Sequence, residues 1–429
     1  MSILIKNGRV VDPSQQMDRT TNVLIEDGRI AAFDVSSNGQ TTTIDASGKI
    51  VAPGLIDMHV NLGEPGLEED ETIRTGTAAA LAGGFSSVAC VPDTEPPTDT
   101  QGTVEFIKHQ AAEADNCHVF PIACVSKNRE GLELAEMGSL VQAGAVAFSD
   151  GNAPIANSEL MRRALEYSLM FDKPILNHPE VRELTSGGVM HEGQVSLVLA
   201  LSGIPSEAED VMTGRDISLA ESTGGQVHIM HISSSGSIDM IRRAKARGVR
   251  VSSEVSPNHF SLTDESLRSF DSNFKINPPL RGQGHVDACI AGLSDGTIDV
   301  IVSDHAPHAV EKKMQELDQA PFGAIGLETT LALVITKLIR PGHLDWPEAL
   351  SKMTINPASI LGLDKGTLQI GADADVTIID PDACWRVDKD HFRSKSSNSP
   401  FIDLELIGRA HVVIVGGRVK FGGDGKEST

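Results

Sequence analysis

In this chain of 429 residues, the side chains best suited to chemistry sit just after short apolar runs. His59, His178 and His231 each follow such a run, and Ser303-Asp304-His305-Ala306-Pro307-His308 closes another. Neutral imidazoles with a carboxylate suit a divalent ion such as Zn²⁺, which polarises a carbonyl and lowers the pKa of water toward about 7. An aspartate in such a set can take a proton from water and return it to a leaving nitrogen, so Asp304 is the candidate acid/base. A single histidine at a strand end is more often a hydrogen-bonded structural residue. Four such positions in register argue for a site. His109, His191, His285, His343, His391 and His411 fall on expected helices or loops and are given no role.

These side chains can act together only if the runs that carry them end in one place. Apolar strand-like stretches at 50–62, 85–91, 118–125, 145–148, 174–177, 226–232, 249–255 and 298–303 alternate with amphipathic segments, including expected helices at 158–171 and 237–247. Strands that are apolar on both faces, separated by helices, predict a parallel sheet covered by helices. Eight repeats predict closure into an α/β fold of the (β/α)8 TIM-barrel type, whose strand C-termini share one rim. No Gly-x-Gly-x-x-Gly or phosphate loop follows any strand, which argues against an open dinucleotide-binding sheet.

The ends of the chain read differently. Asn7-Gly8, Asp27-Gly28 and Gly416-Gly417 each sit between β-branched runs, a hairpin signal, and residues 374–380 alternate like a strand. The expectation is a small β-sandwich-like domain built from both termini, residues 1–52 with 366–429, flanking a barrel at 53–365.

Composition excludes several partners. With 40% hydrophobic and 22% charged residues and no apolar run near the ~18 that span a bilayer, no membrane segment is expected. A formal charge of −23 opposes nucleic acid. The N-terminus lacks a basic region followed by a long apolar core, so the expected location is cytoplasmic. Five widely spaced cysteines read as reduced core thiols rather than a disulfide frame.

Several spaced motifs then coincide: Pro53-Gly54-Leu55-Ile56-Asp57-Met58-His59-Val60, Asn277-Pro278-Pro279-Leu280-Arg281, Ser303-Asp304-His305-Ala306-Pro307-His308, Ala320-Pro321-Phe322-Gly323 and Asn356-Pro357-Ala358. Together they resemble class I dihydroorotase, over nearly the whole chain. The resemblance implies a cyclic amidohydrolase of pyrimidine biosynthesis that interconverts dihydroorotate and N-carbamoyl-L-aspartate. It also implies that His59, His178, His231 and Asp304 are metal ligands, that Asp304 is the catalytic acid/base, and that Asn277 and His308 contact substrate.

The same resemblance exposes four departures. The family's first-strand motif is His-x-His-x-Arg, whereas this chain has Asn61 and Gly63 after His59. Asp93 stands where the family has a substrate-binding Asn, and Gly151 follows Asp150 where the family has a second, metal-bridging Asp. Asn61 and Gly151 thus replace expected ligands, and Asp150 is a possible substitute only if a bulge re-aims it. The expected cofactor is zinc, as one weakly held ion or none. Loss of the arginine and gain of the Asp93 carboxylate shift the local charge against an anionic substrate. Three readings follow: an altered dihydroorotase in which Arg281, Lys275 or a repositioned loop restores carboxylate binding; a non-catalytic partner of aspartate transcarbamoylase; or a hydrolase of another cyclic amide. Homo-oligomer formation is a further expectation. Hydantoinases fit less well, because that branch carries a lysine after the fourth strand, where this chain reads Phe148-Ser149-Asp150-Gly151.

Overall fold

A computed structural model describes residues 2–35 and 41–422. Eight parallel strands follow one another around a ring: Leu55–Val60, Phe85–Cys90, His118–Ala123, Ala147–Ser149, Ile175–Asn177, Val227–Ile229, Val251–Val255 and Val300–Ile301. A parallel bridge from Val60 to His305 links the first strand to the segment after the eighth, and Asn61 N–H donates to the His305 carbonyl at 2.9 Å. Met58, Ala89, Ile122, Leu176, Met230 and Val300 form one buried cluster. Side chains from all sides of a ring can meet only inside it, so this cluster is the packed interior expected of a TIM-type barrel. The outward faces pack on the surrounding helices in a larger cluster that includes Val88, Ile107, Leu165 and Ile241.

The terminal sheet runs in the order Arg418–Gly422, Glu405–Val415, Val376–Arg386, Ile50–Pro53, Ser2–Asp12, Met17–Glu26, Arg29–Phe33, with Thr42–Asp45 also paired to Ser2–Asp12. Asp27-Gly28 and Gly416-Gly417 are hairpin turns, as their dipeptides predict. Asn7-Gly8 is not. Ser2–Asp12 is one continuous strand whose pairing with Met17–Glu26 shifts between Ile5 and Gly8, so the positive φ of Asn7 (62°) serves a β-bulge. The apolar stretch at 50–62 is likewise two strands. Ile50–Pro53 pairs antiparallel with Val376–Arg386 in the terminal sheet, and Leu55–Val60 opens the barrel. Gly54 makes the change of sheet, because a Cβ there would overlap the Ser86 hydroxyl. Four cysteines are buried and free, whereas Cys384 is free but exposed.

Asp375 ties the two sheets together. Its buried carboxylate accepts from Lys365 Nζ (2.7 Å), from the Gly416 N–H (2.8 Å) and from His118 Nε2 (3.1 Å) on the third barrel strand. Burial alone would raise its pKa, but the hydrogen bonds and charges of His118 and Lys365 prevail and hold it down to about 2. A carboxyl with a depressed folded-state pKa stabilises the fold above its unfolded value near 3.9 and loses that contribution as pH falls toward about 2. The expected contribution is about 2 kcal/mol at neutral pH. Urea unfolding should therefore separate wild type from Asp375→Asn clearly at about pH 6 and much less at about pH 2.5. An unchanged difference between the two pH values would contradict this account.

Candidate active site

The C-terminal ends of the barrel strands open into a cavity of about 560 Å³ lined by His59, His178, His231, Asn277, Asp304 and His308, together with Asn61, Gly63 and Asp93. His59 Nε2 lies 3.6 Å from Asp304 Oδ1. His178 Nδ1 faces His231 Nε2 at 3.0 Å, and the rings of His59 and His231 are 5.1 Å apart. The four strand-end donors thus meet at one rim, as two adjacent pairs. Two ligands of a tetrahedral zinc ion stand roughly 3.3 Å apart, so each pair has about the spacing of neighbouring ligands. Among the described residues, no three of these side chains already converge on one ion position. His231 Nδ1 is buried with no hydrogen-bond partner among the described residues.

The backbone is strained where two of these donors sit. His231 has φ of 27° and Asp304 has φ of 52°. Left-handed conformations at non-glycine residues cost on the order of 1–3 kcal/mol and persist where surrounding structure enforces them, most often at functional sites. Burial pushes the Asp304 carboxyl up to about 7, with Glu254 and Asp57 adding to the shift and His59 opposing it.

Supporting carboxylates orient the imidazoles. Glu254, fully buried on the seventh strand, accepts from His59 Nδ1 (2.5 Å), His228 Nε2 (3.1 Å) and the His231 N–H (3.2 Å). Asp57 accepts from the N–H groups of His59 (3.1 Å) and Ser303 (2.9 Å). Glu180 binds His178 Nε2 (2.8 Å) and the Asn277 amide (2.8 Å). Carboxylate-to-histidine contacts of this kind fix ring tautomer and orientation. His308 Nε2 lies 2.8 Å from the Phe322 carbonyl and must donate to it, which leaves Nδ1 as a buried acceptor without a partner. Sequence reasoning missed Glu254, Asp57 and Glu180 as site residues. The available signal was a carboxylate inside an apolar strand, or two positions beyond a strand-end histidine.

A family model described as Dihydro-orotase-like matches residues 48–237, and one described as Amidohydrolase family matches residues 206–421. The dihydroorotase of Pelotomaculum thermopropionicum is 53% identical over 420 residues, covering 98% of each chain. That of Syntrophus aciditrophicus is 48% identical over 424 residues, covering 98% of this chain and 99% of the relative. The chain belongs to the dihydroorotase family. Among solved structures, the L-hydantoinase (dihydropyrimidinase) from Arthrobacter aurescens superposes with a TM-score of 0.87 at 26% identity, covering 97% of this chain and 95% of that one. The dihydroorotase-family assignment therefore rests on sequence over the full length, and the barrel of the cyclic amidohydrolases on structure as well.

As a dihydroorotase-family chain, it departs from the pattern in ways that geometry explains. Asp93 does not stand as an unopposed charge facing substrate. It pairs with Arg129 and accepts the Asn152 N–H at 3.1 Å. Its carboxylate fills the space where a side chain at Gly151 would begin, and Gly151 has φ of 60°. Gly63 has φ of 70°, and a Cβ there would overlap the Glu71 carbonyl oxygen. The two glycines are thus built into their loops and do not mark vacancies that a larger side chain could refill. Asp150, held out as a possible ligand, is turned away. It accepts from the N–H groups of Val125 and Ser126 at 2.9 Å each and from the Ser126 hydroxyl at 2.5 Å, which caps the end of the third strand. Asn61 stays at the rim, its amide donating to the His305 carbonyl at 3.2 Å.

Neither cation expected to restore carboxylate binding lines the cavity. Arg281 is buried against Ser233 Oγ (3.1 Å), the Ile204 carbonyl (3.2 Å) and Glu209 (3.5 Å). Lys275 Nζ donates to the Asp318 carbonyl (3.1 Å) above the Phe322 ring. Among the described residues, no helix is long and apolar enough to cross a membrane.

Proposed function

We propose that this chain is a working dihydroorotase that opens the ring of dihydroorotate to N-carbamoyl-L-aspartate, and closes it again, in cytoplasmic pyrimidine biosynthesis. The observation that carries the reading is the meeting of His59, His178, His231 and Asp304 in one cavity. The left-handed backbone at His231 and Asp304, and the buried carboxylates behind them, also favour a catalytic chain over a non-catalytic partner of aspartate transcarbamoylase. A purely structural rim has no use for strained, desolvated polar groups, whose cost is free to relax once catalysis is lost.

Zinc is the general cofactor of the family, and the donor chemistry of His59, His178, His231 and Asp304 suits it. When bound, zinc supplies polarisation of the amide carbonyl and lowers the pKa of water toward about 7. The protein's own part is proton transfer and orientation. Asp304 takes a proton from the water that adds to the ring carbonyl carbon, then gives it to the ring nitrogen as the C–N bond breaks, leaving a ureido NH2 and a carboxylic acid whose own proton is lost to solvent to give the carboxylate. Asn277, fixed by Glu180, and His308, fixed by the Phe322 carbonyl, orient the ring. The His308 Nδ1 lone pair is placed to accept a ring N–H.

With Asn61 and Gly151 at two ligand positions and Asp150 turned away, the reading takes one weakly held ion. Zinc analysis should give less than about one ion per chain after dialysis, rising to about one under zinc supplementation. Two tightly retained ions would overturn the single-ion account.

A further inference from the structure

If the substrate is a cyclic amide with a ring carboxylate, as proposed above, something in the cavity must answer that charge. Four carboxylates line it: Asp70, Asp93, Glu180 and Asp304. Asp70 is paired with Lys312, Asp93 with Arg129, and Glu180 with His178. Arg182 is the sole lysine or arginine on the lining among the described residues. It is exposed, and its guanidinium makes no hydrogen bond or ion pair with a described residue. An unpaired guanidinium at the mouth of a cavity whose carboxylates are mostly paired with cations or histidine is poised for an anion.

The turn that carries Arg182 is held in place. Glu180 is fixed to His178 Nε2 and Asn277, and Thr185 Oγ1 donates to Glu180 Oε1 at 2.7 Å. The Ser186 N–H donates to the Arg182 carbonyl at 3.1 Å, closing the short helix Arg182–Thr185. Arg182 therefore rises from a segment anchored to His178 and Asn277, while its long side chain remains free to swing.

We propose that Arg182 binds the substrate carboxylate, supplying from the loop after the fifth strand the cation that Gly63 cannot supply from the first. A guanidinium offers two parallel N–H donors to a carboxylate, a geometry that lysine or a neutral amide does not reproduce. Arg182 then sets specificity for an anionic cyclic amide over a neutral one and takes no part in bond breaking.

Titration calorimetry and steady-state kinetics on the full, zinc-supplemented protein test this with L-dihydroorotate and neutral dihydrouracil. Arg182→Gln should weaken dihydroorotate binding and raise KM by roughly tenfold to a hundredfold, as expected for loss of a charge-assisted pair, with kcat changed much less. Dihydrouracil binding should be unchanged or improved, and Arg182→Lys should recover part of the loss for the anion alone. Equal weakening of both ligands, no weakening of dihydroorotate, or a wild type that does not bind dihydroorotate would overturn the assignment. A wild type that binds dihydroorotate through Arg182 but does not turn it over would instead defeat the dihydroorotase reading while leaving the anion site intact.

Discussion

Asp304→Asn is expected to lower dihydroorotate turnover by about 10²–10⁴-fold while leaving the protein folded. General acid–base catalysis by a positioned carboxylate is worth roughly 10²–10⁴-fold, and an amide can neither accept the water proton nor return it. The substitution should be gentle on the fold for two reasons. Asparagine tolerates the left-handed backbone that Asp304 adopts at φ of 52°. The native carboxyl is also desolvated, which pushes it up to about 7, so a neutral amide removes the penalty of burying a charge. The metal-free variant should unfold at an equal or higher urea midpoint than metal-free wild type. A variant that retains more than about a tenth of wild-type kcat would remove Asp304 from the proton path.

Glu254→Leu should have the largest effect on stability. This side chain is fully buried and accepts from three groups, His59 Nδ1, His228 Nε2 and the His231 N–H. Leucine has similar volume, so the loss is chiefly polar. Three buried donors are left without acceptors, at an expected cost of about 3–5 kcal/mol. The same change releases the His59 ring, and loss of such a supporting partner typically weakens metal binding by about 10–100-fold. Urea unfolding and zinc titration of the variant read the two effects separately. A cost below about 1 kcal/mol would mean that Glu254 does not hold the rim together.

Residues of these two kinds differed in how readable they were from sequence. The strand-end set was legible because barrel topology turns a one-dimensional pattern, a polar residue after each apolar run, into a shared rim. His59, His178, His231 and Asp304 were found that way, and they line one cavity. Glu254 was not, because a carboxylate within an apolar strand shows its importance only when the partner strands carrying His59 and His228 are in place. The pairing of Asp93 with Arg129 was hidden for a similar reason. Arg129 lies 36 positions away on a left-handed turn, so the expected repulsion of an anionic substrate overlooked its neutralising partner. Gly63 and Gly151 read as lost functional side chains, whereas their positive φ and crowded Cβ positions show loops whose backbone and packing call for glycine.

At the level of fold, errors arose where one local signal has two outcomes. Asn-Gly supplies positive φ equally to a hairpin turn and to a bulge, and only the long-range pairing of Ser2–Asp12 with Met17–Glu26 selects the bulge at Asn7-Gly8. An uninterrupted apolar run likewise does not reveal that its two halves belong to different sheets. At 50–62 the clue was Gly54, whose missing side chain allows the chain to pass against Ser86.

The most direct trial of the account is conversion of L-dihydroorotate to N-carbamoyl-L-aspartate by purified, zinc-supplemented full-length protein, followed in both directions by chromatography of substrate and product. The account predicts net turnover from either side to the same equilibrium ratio, with the rate falling on zinc removal and returning when zinc is restored. Failure to convert either compound faster than a zinc-containing buffer blank would contradict it.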